Sequence, residues 1–414
     1  MTQTLIVKNA RLLDPLLPEL QNRHDLLIEG NLIREVSDKP LAVRDSQVID
    51  AGGRTVMPGL IDLHVHVVAT ELNLTRLASM PQVLVTLRSL PILRGMLRRG
   101  FTTVRDAGGA SFAFKQAVES GLAQGPRLFV SGRALSQTGG HGDSRGRSDY
   151  ILPDNLCPNC ARVGSLARVA DGVEAVRKAA REELQMGADQ IKIMASGGVA
   201  SPTDPVDALG YSEDEIRAIV AEAAARNTYV LAHAYTPAAI ARAVRLGVRT
   251  IEHGNLVDAQ TAALMAKCDA YAVPTLVTYD ALANEGASLG LPPDSVAKVA
   301  GVRGAGLRSL ELFKAAGVKM GFGTDLLGES HRLQSDEFRL RAQVLSPAEV
   351  IASATVIGAE VLGMEGKLGR LVPGALADLL LVDGDPLRSV DCLLGQGERI
   401  PLVMKGGVVE FSAL

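Results

Sequence analysis

Six side chains that could bind divalent metal ions lie at widely separated points of the sequence. The first two, His64 and His66, follow an apolar run and have one residue between them. Successive side chains on a β-strand point to opposite faces, so these two imidazoles would share a face. Imidazole is the commonest protein metal ligand, and two rings on one face are half of a binding site. The other candidates are Lys192, His233, His253 and Asp325.

All six residues lie at or near the ends of short apolar runs that predict β-strands. Between residues 59 and 366 such runs alternate with helical patterns, which is typical of repeated βα units around a parallel sheet. The strands are predicted over residues 60–65, 101–106, 127–131, 190–195, 229–233, 250–253, 270–276 and 318–323. Helices are predicted over residues 171–186, 212–226 and 237–246, and a Ser-x-x-Glu capping box begins at Ser212.

Eight strands with intervening helices favour an α/β fold of the (β/α)8 TIM-barrel type. An open doubly wound sheet would also alternate strands and helices, but no GxGxxG motif follows the first strand. In such barrels the chemistry lies at the C-terminal ends of the strands. Four of the seven histidines and Asp325 fall at these ends, and together they could hold a borderline-soft ion such as Zn²⁺.

Lys192 lies within an apolar run, where an ammonium group is costly unless it is paired or chemically altered. As an ammonium it would repel a nearby metal, whereas as a carbamate formed with CO2 it becomes an anionic oxygen ligand that can bridge two ions. Two metals about 3.5–4 Å apart can share a hydroxide that attacks a scissile carbonyl. Asp325 would accept the proton of the attacking water and pass it to the leaving group.

Strand patterns also occur on both sides of the barrel region. They cover residues 4–13, 25–33 and 48–53 before it, and an apolar strand within 369–384 and a hairpin over 401–410 follow it. We therefore expect residues 1–58 and 367–414 to form one small β-sandwich domain from both chain termini. Residues 59–366 would form the barrel of a metal-dependent hydrolase.

The composition excludes several classes of partner. A net charge of −3 and an aromatic content of 3% without Trp give no basis for binding nucleic acid or an anionic membrane. We find no signal-peptide pattern and no run of 18 apolar residues, and only four cysteines, so a cytoplasmic protein is expected. For the lone CxxC of Cys157 and Cys160, a plain loop is favoured over a metal or redox site. A homo-oligomer is expected only by analogy with other barrels.

The ordered set of candidate ligands resembles the amidohydrolase superfamily. That family has HxH after strand one, Lys after strand four, His after strands five and six, and Asp after strand eight. Flanking motifs extend the resemblance over nearly the whole chain, with Pro-Gly-Leu-Ile-Asp at 58–62 and Pro-Gly-Ala-Leu-Ala-Asp-Leu at 373–379. The resemblance implies a binuclear centre with these ligands: His64, His66 and Asp325 for the α metal, His233 and His253 for the β metal, and carboxylated Lys192 as the bridge.

Narrower motifs are similar to those of the imidazolonepropionase-related dipeptidases and carboxypeptidases, which include prolidase-like enzymes. They are Thr-Gly-Gly-His-Gly-Asp at 138–143, Lys-Ile-Met-Ala-Ser-Gly-Gly at 192–198 and His-Ala-Tyr at 233–235. In that group a residue like Tyr235 polarises the amide carbonyl, and one like His141 lies near the substrate. A phenol is a suitable neutral donor to an oxyanion. His331 and Arg332, in the loop after strand eight, are further candidate substrate residues, as is Arg145.

The sequence therefore predicts a zinc-dependent amide hydrolase that uses a metal-bridging hydroxide. The resemblance favours dipeptides of the Xaa-Pro or Xaa-hydrophobic type, or N-acyl amino acids, each with a free α-carboxylate. The first alternative is a hydrolase of non-peptide amides, cyclic imides or carbamates, including mycotoxin amides. A metal-free scaffold barrel without catalysis is a remote alternative, because every expected ligand residue is present.

Overall fold

The fold is described from a computed structural model, over residues 4–143, 145, 166–201, 204–291 and 293–414. The strands, numbered in chain order, are β1 Thr4–Leu12, β2 Gln21–Glu29, β3 Leu32–Ser37, β4 Gln47–Asp50, β5 Thr55–Pro58, β6 Leu60–Val65, β7 Phe101–Asp106, β8 Arg127–Val130, β9 Ala134–Ser136, β10 Ala167–Val169, β11 Ile191–Met194, β12 Val230–Ala234, β13 Thr250–His253, β14 Tyr271–Val273, β15 Leu379–Val382, β16 Leu402–Lys405 and β17 Val408–Ser412. The α-helices are α1 Leu74–Ser79, α2 Gln82–Arg98, α3 Phe112–Glu119, α4 Val173–Gln185, α5 Glu213–Ala225, α6 Pro237–Arg245, α7 Ala259–Lys267, α8 Leu276–Glu285, α9 Pro293–Ala316, α10 Asp336–Arg341, α11 Pro347–Ser353 and α12 Val356–Val361, with 3₁₀ helices at Gly328–Leu333 and Val390–Leu393.

Parallel strands form the barrel. Strands β6, β7 and β8 pair in parallel, and so do β11, β12, β13 and β14. Residues 318–323 close the barrel, because Met320 bridges β14 and the amide of Leu63 donates to the carbonyl of Phe322 at 2.8 Å. On the other side, the amide of Asp189 donates to the carbonyl of Val130 at 2.7 Å. The predicted (β/α)8 barrel is confirmed.

The eighth barrel element is an extended segment with a single bridge rather than a regular strand. Its glycines explain this geometry, because a Cβ on Gly321 would lie 2.3 Å from Leu63 Cδ1 and one on Gly323 would lie 2.5 Å from Val273 Cγ1. The segment therefore passes closer to its neighbours than a residue with a side chain would allow. This close approach brings the following residues, Thr324 and Asp325, against β6.

The predicted helices lie within one or two residues of those in the structure. Helix α5 begins with the expected capping box, in which the Ser212 hydroxyl and the Glu215 carboxylate each bond the backbone of the other residue. Its buried face, which includes Ile216 and Ile219, packs into the same apolar cluster as strands β11 and β12. The amphipathic pattern of the helix therefore fixes its inner face against the barrel.

The two chain ends form a separate sandwich-like domain. Its sheet runs in the order β17, β16, β15, β5, β1, β2, β3, with β4 paired to β1. Strand β15, the first strand after the barrel, pairs antiparallel with β5, so that Leu380 lies opposite Met57. A second apolar cluster fills this domain. The predicted boundaries after residues 58 and 366 stay predictions.

Within the described part of the chain, no helix has both the length and the apolar character needed to span a bilayer. Cys157 and Cys160 lie outside the described residues, so the CxxC remains open. Cys268 is exposed and Cys392 is buried, each as a free thiol.

Candidate metal centre

The C-terminal ends of the barrel strands bring candidate ligands together. One ligand atom each of His64, His253 and Asp325 lies within 4.8 Å of the others. Both His64 Nε2, at 3.4 Å, and His66 Nε2, at 3.1 Å, face the same oxygen of Asp325, Oδ1. Two imidazoles and a carboxylate that converge in this way form a donor set suited to Zn²⁺.

Two of these residues have a backbone conformation that is rare outside glycine. His253 has φ of 72° and Asp325 has φ of 52°, both in the left-handed region. Such a conformation costs free energy and persists only where the surrounding structure imposes it. At both positions the strained backbone turns the side chain into the cluster at the end of its strand, which is typical of functional residues.

The outward-facing ring nitrogens of three histidines are already engaged. His64 Nδ1 contacts Glu252 Oε2 at 2.7 Å, and His66 Nδ1 contacts the carbonyl of Gly108 at 2.8 Å. His253 Nδ1 lies 2.7 Å from Thr275 Oγ1. A carboxylate and a carbonyl can only accept, so His64 and His66 carry the proton on Nδ1 and have Nε2 available as a ligand atom. The Thr275 hydroxyl can accept in the same way from His253.

His233 uses its other nitrogen in the same way. Its Nε2 lies 3.0 Å from the carbonyl of Gly197, which leaves Nδ1 available as a ligand atom. The ring stands edge-on to that of His253, with 4.7 Å between the ring centroids. The ring of His141 stacks on the ring of His233, with 4.2 Å between the two centroids. The structure therefore places His233 next to His253, which itself lies close to His64 and Asp325.

Lys192 lies on β11 and is buried with 1% of its surface exposed. Burial lowers the pKa of its ammonium from 10.5 to about 8, although Glu252 and Asp325 attract the charge. In the parallel register of β11 and β12, Lys192 lies opposite Leu231, which is two residues before His233. A buried lysine whose neutral form is accessible near neutral pH is suited to react with CO2, since the neutral amine is the nucleophile.

The charge state of the cluster also fits a metal. Burial alone would raise the pKa of Asp325, but the His64 charge and hydrogen bonds from His64 and His66 hold it well below its usual range. Burial lowers the pKa values of His233 and His253 well below 6.5, so both rings are neutral at pH 7. Metal ligands must be deprotonated, and the ionised carboxylate of Asp325 and the neutral rings of His233 and His253 meet this requirement.

Two buried carboxylates that the sequence did not single out as ligands hold His64 in place. Glu252 joins His64 to Arg105, whose Nη2 donates to Glu252 Oε1 at 2.8 Å. Both members of that ion pair are fully buried. Asp62 accepts hydrogen bonds from the amide of His64 at 3.1 Å and the hydroxyl of Thr324 at 2.7 Å. It thereby ties β6 to the segment that carries Asp325.

Asp106 supports His66 indirectly. Its carboxylate accepts the amides of Val67 at 2.8 Å and of Gly108 at 3.0 Å. Gly108 is the residue whose carbonyl contacts His66 Nδ1. The carboxylate of Asp106 therefore holds the backbone around Gly108, and this backbone in turn orients the imidazole of His66.

A pocket opens above the cluster. Its polar lining includes His66, Asp325 and His141, and its apolar lining includes Leu74, Ala78, Leu166, Met194, Ala200 and Leu327. His141 Nδ1 lies 2.8 Å from Ser201 Oγ and 3.8 Å from the buried carboxylate of Asp204. The structure thus brings His141 to the site, as the Gly-rich motif predicted.

Tyr235 is buried beside the same cluster, with its ring 5.3 Å from that of His253 between centroids. Its hydroxyl lies 2.7 Å from that of Tyr279 on helix α8. Burial raises the pKa of Tyr235 above its ordinary value of 10, so the phenol stays protonated and can donate. Tyr279 was not anticipated, because a tyrosine on a helix gives no sign in the sequence of which side chain it will meet.

The other predicted substrate residues lie outside the described pocket lining. His331 is buried, and its Nε2 donates to the carbonyl of Ala69 at 3.1 Å. Arg332 forms an ion pair with Glu285 at 2.6 Å on the surface. Arg145 forms an ion pair with Asp143. A substrate role for these three residues stays a prediction.

Among the unforeseen residues, Glu252 had the clearest sequence signal. An acidic side chain between Ile251 and His253 in a predicted barrel strand must be paired when it is buried. Thr275 and Asp204 had no comparable signal, since threonine at a strand end and aspartate in a loop are common. Asp204 Oδ1 is buried and has no hydrogen-bond partner within the part of the chain that is described.

The chain matches known proteins over almost its full length. The model of the amidohydrolase family matches residues 55–409. A crystal structure of an amidohydrolase is 72% identical, covers 100% of both chains and has a TM-score of 0.98. A prolidase complexed with N-methylphosphonate-L-proline is 57% identical over 98% of this chain and 99% of its own, with a TM-score of 0.96. Ochratoxinase of Aspergillus niger is 31% identical over 85% of this chain and 75% of its own length.

Proposed function

The chain belongs to the amidohydrolase family and is a hydrolase of C–N bonds, and we propose that it is a metal-dependent dipeptidase. Its substrates would be Xaa-Pro or Xaa-hydrophobic dipeptides or N-acyl amino acids. The observation that carries the proposal is the convergence of His64, His66 and Asp325 beside His233 and His253. The family generally depends on two metal ions, and this donor set fits that requirement.

We assign the two ions to separate groups of ligands. His64, His66 and Asp325 would hold one ion, His233 and His253 the second, and carboxylated Lys192 would bridge them. Zinc is the proposed metal, because imidazole nitrogens dominate the set. When bound, the ions would lower the pKa of a water molecule and polarise the carbonyl of the substrate.

The side chains of the chain then have separate tasks. Asp325 would take the proton from the attacking water and transfer it to the leaving nitrogen, for which its low pKa keeps it ionised at the start. Tyr235 would donate its hydroxyl proton to the carbonyl oxygen as negative charge develops there. His141 would contact the substrate from the Gly-rich loop, held by its bond to Ser201.

The pocket supports a substrate with an apolar side chain. Apart from Asp325, the side chains in its described lining are apolar or imidazoles, so it offers little to attract Arg or Lys. The 57% identical prolidase was crystallised with a phosphonate derivative of proline, which favours a prolyl residue on the leaving side. The group that binds the α-carboxylate is proposed among His141, Arg145, His331 and Arg332.

A second candidate function is the hydrolysis of non-peptide amides, cyclic imides or carbamates. The specific observation in its favour is the 31% identity with ochratoxinase, whose name indicates action on a mycotoxin. Family membership argues against the third hypothesis, a scaffold barrel without catalysis. The substrate is a small molecule, whereas a homo-oligomeric state and a cytoplasmic location stay predictions.

The test combines substrate profiling with metal analysis. Purified protein is assayed on Xaa-Pro and Xaa-hydrophobic dipeptides, N-acyl amino acids, and non-peptide and cyclic amides, and its metal content is measured. We expect cleavage of the dipeptides and about two ions per chain. Preference for non-peptide or cyclic amides would favour the second candidate function.

Four variants accompany the wild type. Lys192→Ala and Asp325→Asn should lose metal and activity. Lys178→Ala and Asp214→Asn, which change exposed residues of helices α4 and α5, are the matched controls and should keep both. A wild type with less than about one ion per chain, and variants that bind as much as it does, would contradict the metal assignment.

A further inference from the structure

Two hydrogen-bonded pairs of polar side chains lie between a proposed metal ligand and the proposed carbonyl donor. His253 Nδ1 contacts Thr275 Oγ1 at 2.7 Å, and the hydroxyl of Tyr279 contacts that of Tyr235 at 2.7 Å. Thr275 is the N-cap of helix α8, and Tyr279 lies four residues later on that helix. Residues four apart lie on the same face of a helix, so Thr275 and Tyr279 are neighbours within its first turn. All four residues are buried.

The number of protons in the tyrosine pair limits what it can do. Each phenol carries one proton, and its oxygen can also accept. When two phenols are 2.7 Å apart, one proton lies between the oxygens and the other must point elsewhere. If Tyr235 donates to Tyr279, its proton is spent within the pair and cannot reach the substrate. If Tyr279 donates, the proton of Tyr235 is available to a carbonyl oxygen.

The remaining contacts favour the second arrangement. A metal bound by His253 through Nε2 requires the proton on Nδ1, so Thr275 Oγ1 must accept there. The proton of the threonine hydroxyl is then available to the neighbouring Tyr279 oxygen. In agreement, a hydrogen bond from Thr275 opposes the rise in the pKa of Tyr279 that burial causes. With its oxygen supplied by Thr275, Tyr279 can direct its own proton to Tyr235.

We propose that Tyr279 is a positioning residue that donates a hydrogen bond to Tyr235 and so turns the proton of Tyr235 towards the substrate carbonyl. The direction of this donation is set by His253 through Thr275. Hydrogen bonds aligned in one direction strengthen one another, so the arrangement also makes Tyr235 a better donor. The inference rests on the proposed function, because it takes Tyr235 as the group that contacts the carbonyl.

The first test is a double-mutant cycle with the amide that the wild type cleaves best. Tyr235→Phe should lower kcat about 100-fold, as the loss of one oxyanion donor does. Tyr279→Phe should lower kcat about five- to tenfold with little change in KM, since it removes one neutral hydrogen bond that acts through Tyr235. The double variant should be no slower than Tyr235→Phe alone. Equal effects of Tyr279→Phe in both backgrounds would overturn the inference.

Two further variants test the path through Thr275. Thr275→Val should lower kcat in the same direction as Tyr279→Phe, and Thr275→Ser, which keeps the hydroxyl, should restore it. Tyr271→Phe is the matched control, because it removes a phenol that contacts Glu360 on the outside of the barrel. It should leave kcat unchanged. A Thr275→Ser variant as slow as Thr275→Val would contradict the path.

A second measurement does not depend on activity. In metal-free protein, the urea midpoint of unfolding should fall for each single Tyr→Phe variant and fall no further for the double variant. Additive shifts would show that the two phenols are not bonded and would overturn the inference. If the wild type cleaves amides but the double-mutant cycle shows no coupling between Tyr235 and Tyr279, this inference is refuted and the proposed function is not. Zinc-loaded wild type that cleaves none of the amides refutes the proposed function as well.

Discussion

The buried pair of Glu252 and Arg105 permits a quantitative test of how the metal centre is supported. Glu252 accepts hydrogen bonds from His64, from Arg105 and from the hydroxyl of Thr250 at 2.6 Å. Burial alone would raise the pKa of this carboxyl, but the Arg105 charge and the His64 hydrogen bond hold it below its ordinary value. Glu252→Gln keeps the size of the side chain and removes its charge.

The expected loss has two parts. Arg105 is fully buried, and without its counter-charge the folded protein should lose about 3–5 kcal/mol of unfolding free energy. His64 loses the acceptor that orients its ring, and removal of such a partner lowers metal affinity by about 10- to 100-fold. The stability loss should appear in metal-free protein, because it concerns the ion pair. The affinity loss should appear only in metal titrations.

Both parts can be measured separately. Urea unfolding of metal-free protein gives the first, and competition with a zinc chelator gives the second. Glu337→Gln, assayed at pH 8 or above, is the control, since Glu337 pairs with Arg341 at 2.8 Å in an equally buried ion pair outside the metal cluster and burial raises its pKa to about 7. It should lower stability and leave zinc affinity unchanged. The double variant Arg105→Met/Glu252→Gln should regain much of the stability but not the affinity.

Two results would refute this reasoning. If Glu252→Gln lowered zinc affinity no more than Glu337→Gln does, the carboxylate would not support the proposed ligand. If the unfolding free energy of metal-free Glu252→Gln fell by less than about 1 kcal/mol, Arg105 would have found another counter-charge or water.

Three further predictions concern buried groups. Burial lowers the pKa of His331 from 6.5 to about 3, so between these values only the unfolded chain binds the proton and stability falls as the pH decreases. His331→Gln should flatten this part of the plot of unfolding free energy against pH by up to about 1.4 kcal/mol per unit, and an unchanged slope would contradict the assignment. Carbamate formation at Lys192 needs the neutral amine, so we expect metal-free wild type that receives zinc at pH 8 to regain more activity with bicarbonate than without it. The Lys192→Ala variant should not respond to bicarbonate. Equal recovery of the wild type in both buffers would count against the carbamate. The buried hydroxyl of Tyr211 has no hydrogen-bond partner among the residues described, so Tyr211→Phe should leave the urea midpoint unchanged or raise it, and a clear decrease would reveal a partner.

Much of the barrel could be predicted because its signals are local. Each apolar run marks a strand, and the alternation of side chains places both histidines of the HxH motif on one face. Parallel strands end on the same edge of a sheet, so residues at strand ends are brought together without any knowledge of loops. The eighth strand was less regular than expected, because Gly321 and Gly323 allow an unusually close approach to neighbouring strands.

The substrate side of the site was harder to predict, since it depends on where loops and helices pack. His141 was anticipated from its motif, and the structure brings its ring against that of His233. His331 and Arg332 were expected near the substrate because they follow Asp325. In the structure His331 contacts Ala69, and Arg332 contacts Glu285. Proximity in sequence does not fix the direction of a side chain once the chain enters a 3₁₀ turn.

The sequence alone determined the fold class, the family and the order of the candidate ligands, because strand periodicity and strand-end position are local properties. Tertiary structure decided which groups orient those ligands. Glu252 lies 188 residues from the His64 that it contacts, and Tyr279 lies 44 residues from Tyr235. Contacts between such distant residues depend on strand register and helix packing, and no local pattern encodes them.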